Sequence, residues 1–322
     1  MNTFWILMEQ IELFIVYLVI GVILVRTGVL SDKGLDWIAR VVMKLSLPTM
    51  IFVNVVSQVD RVALVKSLSI IGLAGTASTL LYGLGVVLTK LFHVEGDRAQ
   101  IYRAMTMFGN VGFMGIPIIT SIFQERGMLY VSVFTIVDQL AMWTVGVKLT
   151  SPSGKGKFDP KKLINPATVA IALAIFFVLT GLKLPGVLQT GFQNIGATAT
   201  PLAMIYLGGV FACMDVKKYI LKLDYYGIVA IKMLIFPVIF YIILGLLPIS
   251  AEIRMTMTLT SEEIGMTMSL ITAMPTMSSV VMLANSSGSD GAYSLGGVMI
   301  TTLCGIVTLP VVCRVLLWIA VA

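Results

Sequence analysis

The chain has 322 residues, 58% of them hydrophobic and 12% charged, with a formal net charge of +6 and a mean hydropathy of +0.99. A water-soluble domain carries about 25% charged residues, so this composition excludes a soluble enzyme or binding module and demands an apolar solvent for most of the chain. The positive charge requires no nucleic-acid partner, because Lys and Arg at the ends of apolar segments act as topology determinants beside anionic lipid headgroups.

Apolar segments of about 20 residues, the length that crosses a hydrocarbon core, recur along the sequence. They predict ten spans, at 11–30, 35–57, 67–90, 99–121, 127–149, 165–183, 187–211, 225–247, 263–285 and 293–320. No basic stretch precedes the first span within residues 1–8 and no small-residue cleavage site follows it, so no removable signal peptide is expected.

In chain order, Pro48 falls in the second span and His93, the single histidine, at the end of the third. The fourth span contains GNVGFMGIP at 109–117, and the fifth holds Asp138 beside Gln139. Residues 150–164 form a polar linker, after which the sixth span opens on Asn165-Pro166. Pro201 lies in the seventh span, Lys232 in the eighth, and TAMPTMSS at 272–279 in the methionine-rich ninth. Cys213, Cys304 and Cys313 match no metal-ligand or disulfide spacing and are read as packing residues.

Fifteen of the 22 Lys and Arg residues fall on one side of this topology. Six, Arg61, Lys66, Arg126, Lys183, Arg254 and Arg314, fall on the other, and Lys232 alone lies within a span. The positively charged side is the cytoplasmic one. The linker is therefore expected in the cytoplasm and both termini outside it, in a multi-pass protein of the plasma membrane, the inner membrane of a bacterium.

Two five-span repeats, residues 1–149 and 165–322, flank the linker. Five is an odd number, so the second repeat must enter the membrane inverted with respect to the first. The prolines follow the repeat: Pro48 pairs with Pro201, 153 residues on, and Pro117 with Pro275, 158 residues on. The fold class is thus all-α, ten transmembrane helices as two inverted five-helix repeats with helices 4 and 9 broken and crossing. A proline inside a span removes a backbone hydrogen bond, a loss tolerated where the chain lines a polar cavity. The three glycines, asparagine and proline crowded into 109–117 make regular helix improbable there, and the 272–279 stretch repeats the pattern. Half-helix N-termini converging from two such breaks would favour an anion. Isolated small-residue pairs such as Gly208/Ala212 signal close helix packing instead.

GNVGFMGIP, SLPTMIFVNV at 46–55, Asn165-Pro166 and the proline-containing ninth span ending in Asn285 together resemble the auxin efflux carrier family, which includes bacterial malate and malonate permeases and plant auxin exporters. The resemblance implies a scaffold domain and a transport domain, and a secondary active transporter moving a small organic acid anion by elevator-type alternating access. It implies a substrate site at the helix 4/9 crossover: Asn110, Gly112, Pro117, Pro275, Ser278 and Asn165, with Gly109, Gly115, Pro48 and Pro201 at the helix breaks. It also implies a homodimer in the lipid bilayer. Phe113 stands where the plant exporters have a further asparagine, which argues against an indole-acetate cargo.

Charged residues within spans mark function, so Asp138, Gln139 and Lys232 are the coupling candidates, with a proton or sodium as the coupling ion. A fixed Asp138–Lys232 pair is the alternative. Glu262 and Glu263 are expected to favour a helix N-terminus. The lone His93 in a loop, the absence of a serine dyad and the absence of a metal-ligand cluster argue against an enzyme, and no cofactor is expected. A sodium-coupled bile-acid-type symporter and a non-transporting ligand sensor on the same fold are the competing readings.

Overall fold

The computed structural model describes residues 3–58, 61, 68–152, 164–246 and 261–321. Most of the expected linker, Arg254, Lys66 and the side chains of Arg126 and Glu262 lie outside the described residues. Among the described residues the secondary structure is helical throughout, with no strand. The named helices are α1 (Thr3–Arg26), α2 (Asp32–Val41), α3 (Leu47–Gln58), α4 (Leu68–Leu91), α5 (Gly96–Met107), α6 (Ile116–Ala141), α7 (Pro166–Thr180), α8 (Gly186–Ala197), α9 (Ala199–Cys213), α10 (Phe236–Leu246), α11 (Ser261–Thr272), α12 (Ser279–Ser286) and α13 (Gly291–Val321).

Among the described residues, seven helical stretches are long and apolar enough to cross a membrane: Thr3–Arg26, Asp32–Ser57, Ile70–Leu91, Tyr130–Leu149, Gly186–Cys213, Leu223–Leu246 and Gly291–Val321. The expected fourth, sixth and ninth spans fall on shorter helices. The fourth and ninth are cut by interruptions described below. The sixth, α7, has 15 residues, about 22 Å at the α-helical rise, because Asn165 starts it and Gly181 ends it in the left-handed conformation, with φ 72°. Large apolar side chains stand outward on successive helices, among them Ile23, Val87, Phe176, Leu246 and Trp318. So much exposed hydrocarbon is stable only against lipid, and the chain is a multi-pass membrane protein.

The chain divides into two compact units, each drawn from three stretches of sequence. The first comprises Met1–Leu68, Gly112–Ile136 and Lys161–Val216. Here α1 lies along α9, and α3 packs on α7 and α8. The α1/α9 contact depends on glycine: a Cβ on Gly208 would stand 2.0 Å from the Leu18 carbonyl oxygen, and one on Gly21 would stand 2.1 Å from that of Ile205. The Ser46 and Thr198 hydroxyls are hydrogen-bonded at 2.9 Å.

Helical geometry is continuous across α6, which takes in the connection expected at 122–126, yet the chain doubles back within it. A Cβ on Gly127 would lie 2.7 Å from the Ile119 carbonyl oxygen, whereas eight residues of straight helix advance about 12 Å. Gly127 permits this tight reversal because it carries no side chain at the contact.

The second unit comprises Ser69–Val111, Val137–Pro160 and Lys217–Ala322. Within it α10 packs on α11, and α13 packs on α5, on α12 and on the Ile228–Ile235 stretch. One edge is tied by polar contacts: Tyr102 donates to the Asp224 carbonyl at 2.8 Å, Tyr225 to the Tyr293 carbonyl at 2.8 Å, and Tyr293 to the Asp224 carboxylate. Arg98 Nε meets Asp290 Oδ2 at 2.8 Å, and the guanidinium also lies over the Tyr293 ring. Burial by itself raises the Asp290 pKa. The Tyr293 backbone N–H and the Arg98 guanidinium outweigh that effect and hold it below the ordinary carboxylate value.

Three prolines inside spans are accommodated in a way the sequence reading did not anticipate. Wide π turns run over Val42–Ser46, Val111–Gly115 and Ile228–Ile235, each ending two residues before a proline, Pro48, Pro117 and Pro237. An α-helical proline clashes with the carbonyl four residues back. Shifting to bonds that span five residues, as from Leu47 N to Val42 O and from Phe236 N to Ile231 O, moves that carbonyl away from the ring. Pro48 therefore sits in an unbroken helical run. Pro201 lies in the first turn of α9, where its missing N–H would have had no helical partner.

Candidate functional site

The fourth expected span is interrupted at Phe108–Asn110, between α5 and the π turn that leads into α6. The ninth is interrupted at Ala273–Ser278, between α11 and α12. The two interruptions pair with each other inside the second unit. Gly109 and Thr276 form an antiparallel bridge, the Asn110 N–H donates to the Pro275 carbonyl at 2.7 Å, and the Met277 N–H donates to the Phe108 carbonyl at 3.1 Å. The pairing follows from the need of any backbone group inside hydrocarbon to find a partner in the protein, since each interruption supplies what the other lacks. Side chains reinforce it. Thr301 Oγ1 accepts from the Thr276 N–H at 3.1 Å, and the Thr276 hydroxyl donates to the Met105 carbonyl at 3.0 Å.

Asn110 sits at this joint with no exposed surface, and neither its Oδ1 nor its Nδ2 has a hydrogen-bond partner. An enclosed amide with nothing to bond costs about 1–3 kcal/mol. A buried amide left without partners calls for an explanation. Ser278, also buried, directly precedes α12 without capping it through its side chain.

Lys232 is fully buried. Its Nζ donates to the carbonyls of Met105 at 3.3 Å and Phe108 at 3.4 Å, at the open end of α5. Asp138 and Gln139 are buried as well. Asp138 lies within the reach of the Lys232 charge, yet its Oδ2 has no hydrogen-bond partner. Lys232 thus bonds to main-chain carbonyls rather than forming the fixed Asp138–Lys232 pair given as the alternative.

Other sequence candidates fall elsewhere. Asn165 is a helix cap: its Oδ1 accepts from the N–H groups of Ala167 at 3.0 Å and Thr168 at 3.1 Å, while Thr168 Oγ1 accepts from the Asn165 N–H at 3.1 Å. That commitment opens α7 and takes the Asn165 side-chain oxygen away from a ligand. Gly112 and Gly115 belong to the π turn before Pro117, and a Cβ on Gly112 would touch Leu47 at 3.4 Å.

Pro117 and Pro201 line a cavity of about 480 Å³ inside the first unit. Its polar lining is uncharged: Gln10, Tyr17, Asn54, Ser57, Thr120, Gln193 and Thr200. The sequence reading missed these as site residues. Asn54 was legible as a lone amide within the SLPTMIFVNV stretch. Gln10, on α1, and Gln193, on α8, carry no local signal, because only the fold brings α1, α3, α8 and the start of α6 around one space.

The family model described as "Membrane transport protein" matches residues 6–160 and 155–313. The chain is similar to an uncharacterized transporter of Methanothermobacter thermautotrophicus, 25% identical over 207 residues, or 62% of this chain and 66% of that protein. An uncharacterized transporter of Methanocaldococcus jannaschii is 20% identical over 210 residues, 62% of this chain and 68% of its own. A Rhizobium meliloti protein whose name gives malonate transport as its proposed role is 21% identical over 288 residues, 86% of this chain and 85% of that one. The alignment with the first of these relatives spans just under two thirds of that protein's length. Two interrupted spans joined inside an apolar, multi-pass chain, together with a family match over nearly its whole length, lead to one assignment: the chain belongs to the auxin efflux carrier-type membrane transport family.

Proposed function

We propose that this protein is a secondary transporter of a small carboxylate anion, malonate-like or malate-like, and that its substrate engages the joined interruptions around Asn110, Pro275 and Ser278. The observation that carries the reading is the enclosed Asn110 amide, whose oxygen and nitrogen both lack partners. A carboxylate oxygen would accept from Nδ2, and the positive ends of the half-helices that begin after the interruptions would complement its charge. Since Asn110 has no exposed surface, a substrate reaches it only when the protein adopts another conformation, as alternating access requires. The division into two compact units, each built from both halves of the sequence, supports an elevator-type cycle in which the unit carrying the joint moves as a body. On this reading the fourth and ninth of ten helices cross at the joint, and the halves 1–149 and 165–322 are inverted repeats flanking the 150–164 linker. The termini face outward from a bacterial inner membrane, and the first unit supplies the contact of a homodimer.

Asp138 is the group through which a cation gradient is coupled, since its buried carboxylate holds an unpartnered oxygen. Purified protein screened by thermal shift against mono- and dicarboxylates tests the cargo, because a ligand stabilises by an amount set by its concentration over its dissociation constant. Malonate and malate should raise the midpoint, and choline or amino acids should not. Saturable counterflow of the stabilising anion in proteoliposomes then separates a carrier from a ligand sensor, which would bind without flux. Uptake by Asp138→Asn that keeps the wild-type dependence on pH and sodium would remove Asp138 from coupling.

A further inference from the structure

An interruption leaves the last carbonyls of a helix without their usual N–H donors. Within hydrocarbon such carbonyls must be satisfied by the protein, and in transporters with discontinuous helices the unwound carbonyls and half-helix C-terminal ends are where coupling cations are held. At the C-terminal end of α5 the corresponding carbonyls are those of Met105 and Phe108. Each is given one neutral donor, the Thr276 hydroxyl at 3.0 Å for Met105 and the Met277 N–H at 3.1 Å for Phe108. Each is also given the same charged donor, Lys232 Nζ, at 3.3 Å and 3.4 Å.

A fully buried lysine is rare unless paired, yet Lys232 has no exposed surface and bonds to no carboxylate. Asp138 is near enough for the two charges to act on each other, but the ammonium spends its hydrogen bonds on main-chain carbonyls instead. It therefore brings a unit positive charge to the negative end of the α5 dipole, within reach of the charge of Asp138, the only buried carboxylate among the described residues. That is the position and the chemistry of a bound monovalent cation, with four methylenes anchoring it to the Ile228–Ile235 stretch.

We propose that Lys232 is a tethered cation: its ammonium fills the cation position at the end of the interrupted helix, so the protein binds and carries its substrate without sodium at that position. This deepens the transporter reading and rests on it. It sets the protein apart from a sodium-coupled symporter by a single residue, and it leaves the proton as the ion for Asp138.

The test compares thermal midpoints of purified wild type, Lys232→Ala and Lys232→Met in equimolar sodium chloride and choline chloride. Lys232→Ala removes both charge and volume, leaving room for an ion, whereas Lys232→Met removes the charge and keeps the volume. Wild type should have the same midpoint in both salts. Lys232→Ala should melt several degrees lower in choline and recover by several degrees in sodium, and Lys232→Met should stay low in both. A sodium-specific rise in wild type would overturn the proposal, as would a Lys232→Ala protein equally low in both salts. Recovery of Lys232→Ala only from sodium-containing buffers would support it, and failure to recover it from either would overturn the claim that an ion can stand in for the ammonium. Malonate added to wild type reads the cargo separately: no shift with any carboxylate would undo the substrate reading while leaving the sodium comparison interpretable.

Discussion

The backbone N–H of Asn110 donates to the carbonyl of Pro275 across 2.7 Å, joining two interruptions that lie 165 residues apart in the sequence. The backbone N–H of Asn110 is thus committed while its side chain is uncommitted. Asn110→Ala should therefore leave the ligand-free midpoint unchanged or slightly higher, because removing an unpartnered buried amide forfeits no hydrogen bond. The same variant should weaken carboxylate binding by about tenfold or more, the equivalent of one hydrogen bond to a charged group at about 1.4 kcal/mol or above. Thermal-shift titration of both proteins with malonate reads the two effects together.

Asn165→Ala should behave in the opposite way. Loss of an N-cap costs about 1 kcal/mol, so the variant should melt lower. Its carboxylate affinity should match wild type, since the Asn165 oxygen is occupied by the Ala167 and Thr168 N–H groups. Reduced affinity with unchanged stability would return Asn165 to the binding site.

Gly208→Ala and Gly21→Ala should each destabilise the first unit by about 1–3 kcal/mol, the usual cost of forcing atoms into a packed interior. The nearest atoms to the added Cβ are backbone carbonyls of the facing helix, at 2.0 and 2.1 Å, which cannot rotate away as a side chain would. Size-exclusion profiles and melting in detergent measure the effect. A wild-type midpoint in both variants would contradict the α1/α9 contact.

The Arg98–Asp290 pair should contribute little, because the two side chains are 55% and 30% exposed and pairs that accessible are worth about 0.2–1 kcal/mol. The Asp290 pKa is depressed in the folded state. Its contribution is therefore complete above the unfolded aspartate value of about 3.9 and is lost as pH falls through the lower folded value. A double-mutant cycle of Arg98→Ala and Asp290→Asn should give a constant small coupling at neutral pH that fades only under strongly acid conditions. A coupling that fades already near pH 6 would assign the titration to another group.

The apolar character, the outward-facing hydrocarbon and the two interruptions were legible in the sequence because each has a local chemical cause: span length, glycine and proline density, and an asparagine where packing asks for none. The role of Lys232 was not. A lysine seven residues into a span reads as snorkelling, and only the fold shows that α5 ends opposite it. The capping role of Asn165 was hidden for a related reason, since an asparagine before a proline is equally a cap and a ligand on paper. The cavity residues Gln10 and Gln193 were invisible because nothing in their own helices sets them apart from neighbouring polar residues such as Glu9 and Gln189, and the residues that share the cavity with them come largely from distant parts of the chain.

Lys232 projects from the longest π turn among the described residues, eight residues from Ile228 to Ile235. A π turn carries surplus chain within a helix, so the residues inside it stand at a different angular phase from the one α pitch would give them. Deleting one residue between Pro237 and Lys232 would let the span relax to α pitch, leaving the flanking parts nearly in register but turning the residues of the turn itself, Lys232 among them. The ammonium would then leave the α5 carbonyls without any change of side chain. The identity of this span as a holder of positive charge is thus written in its residue count as much as in its lysine.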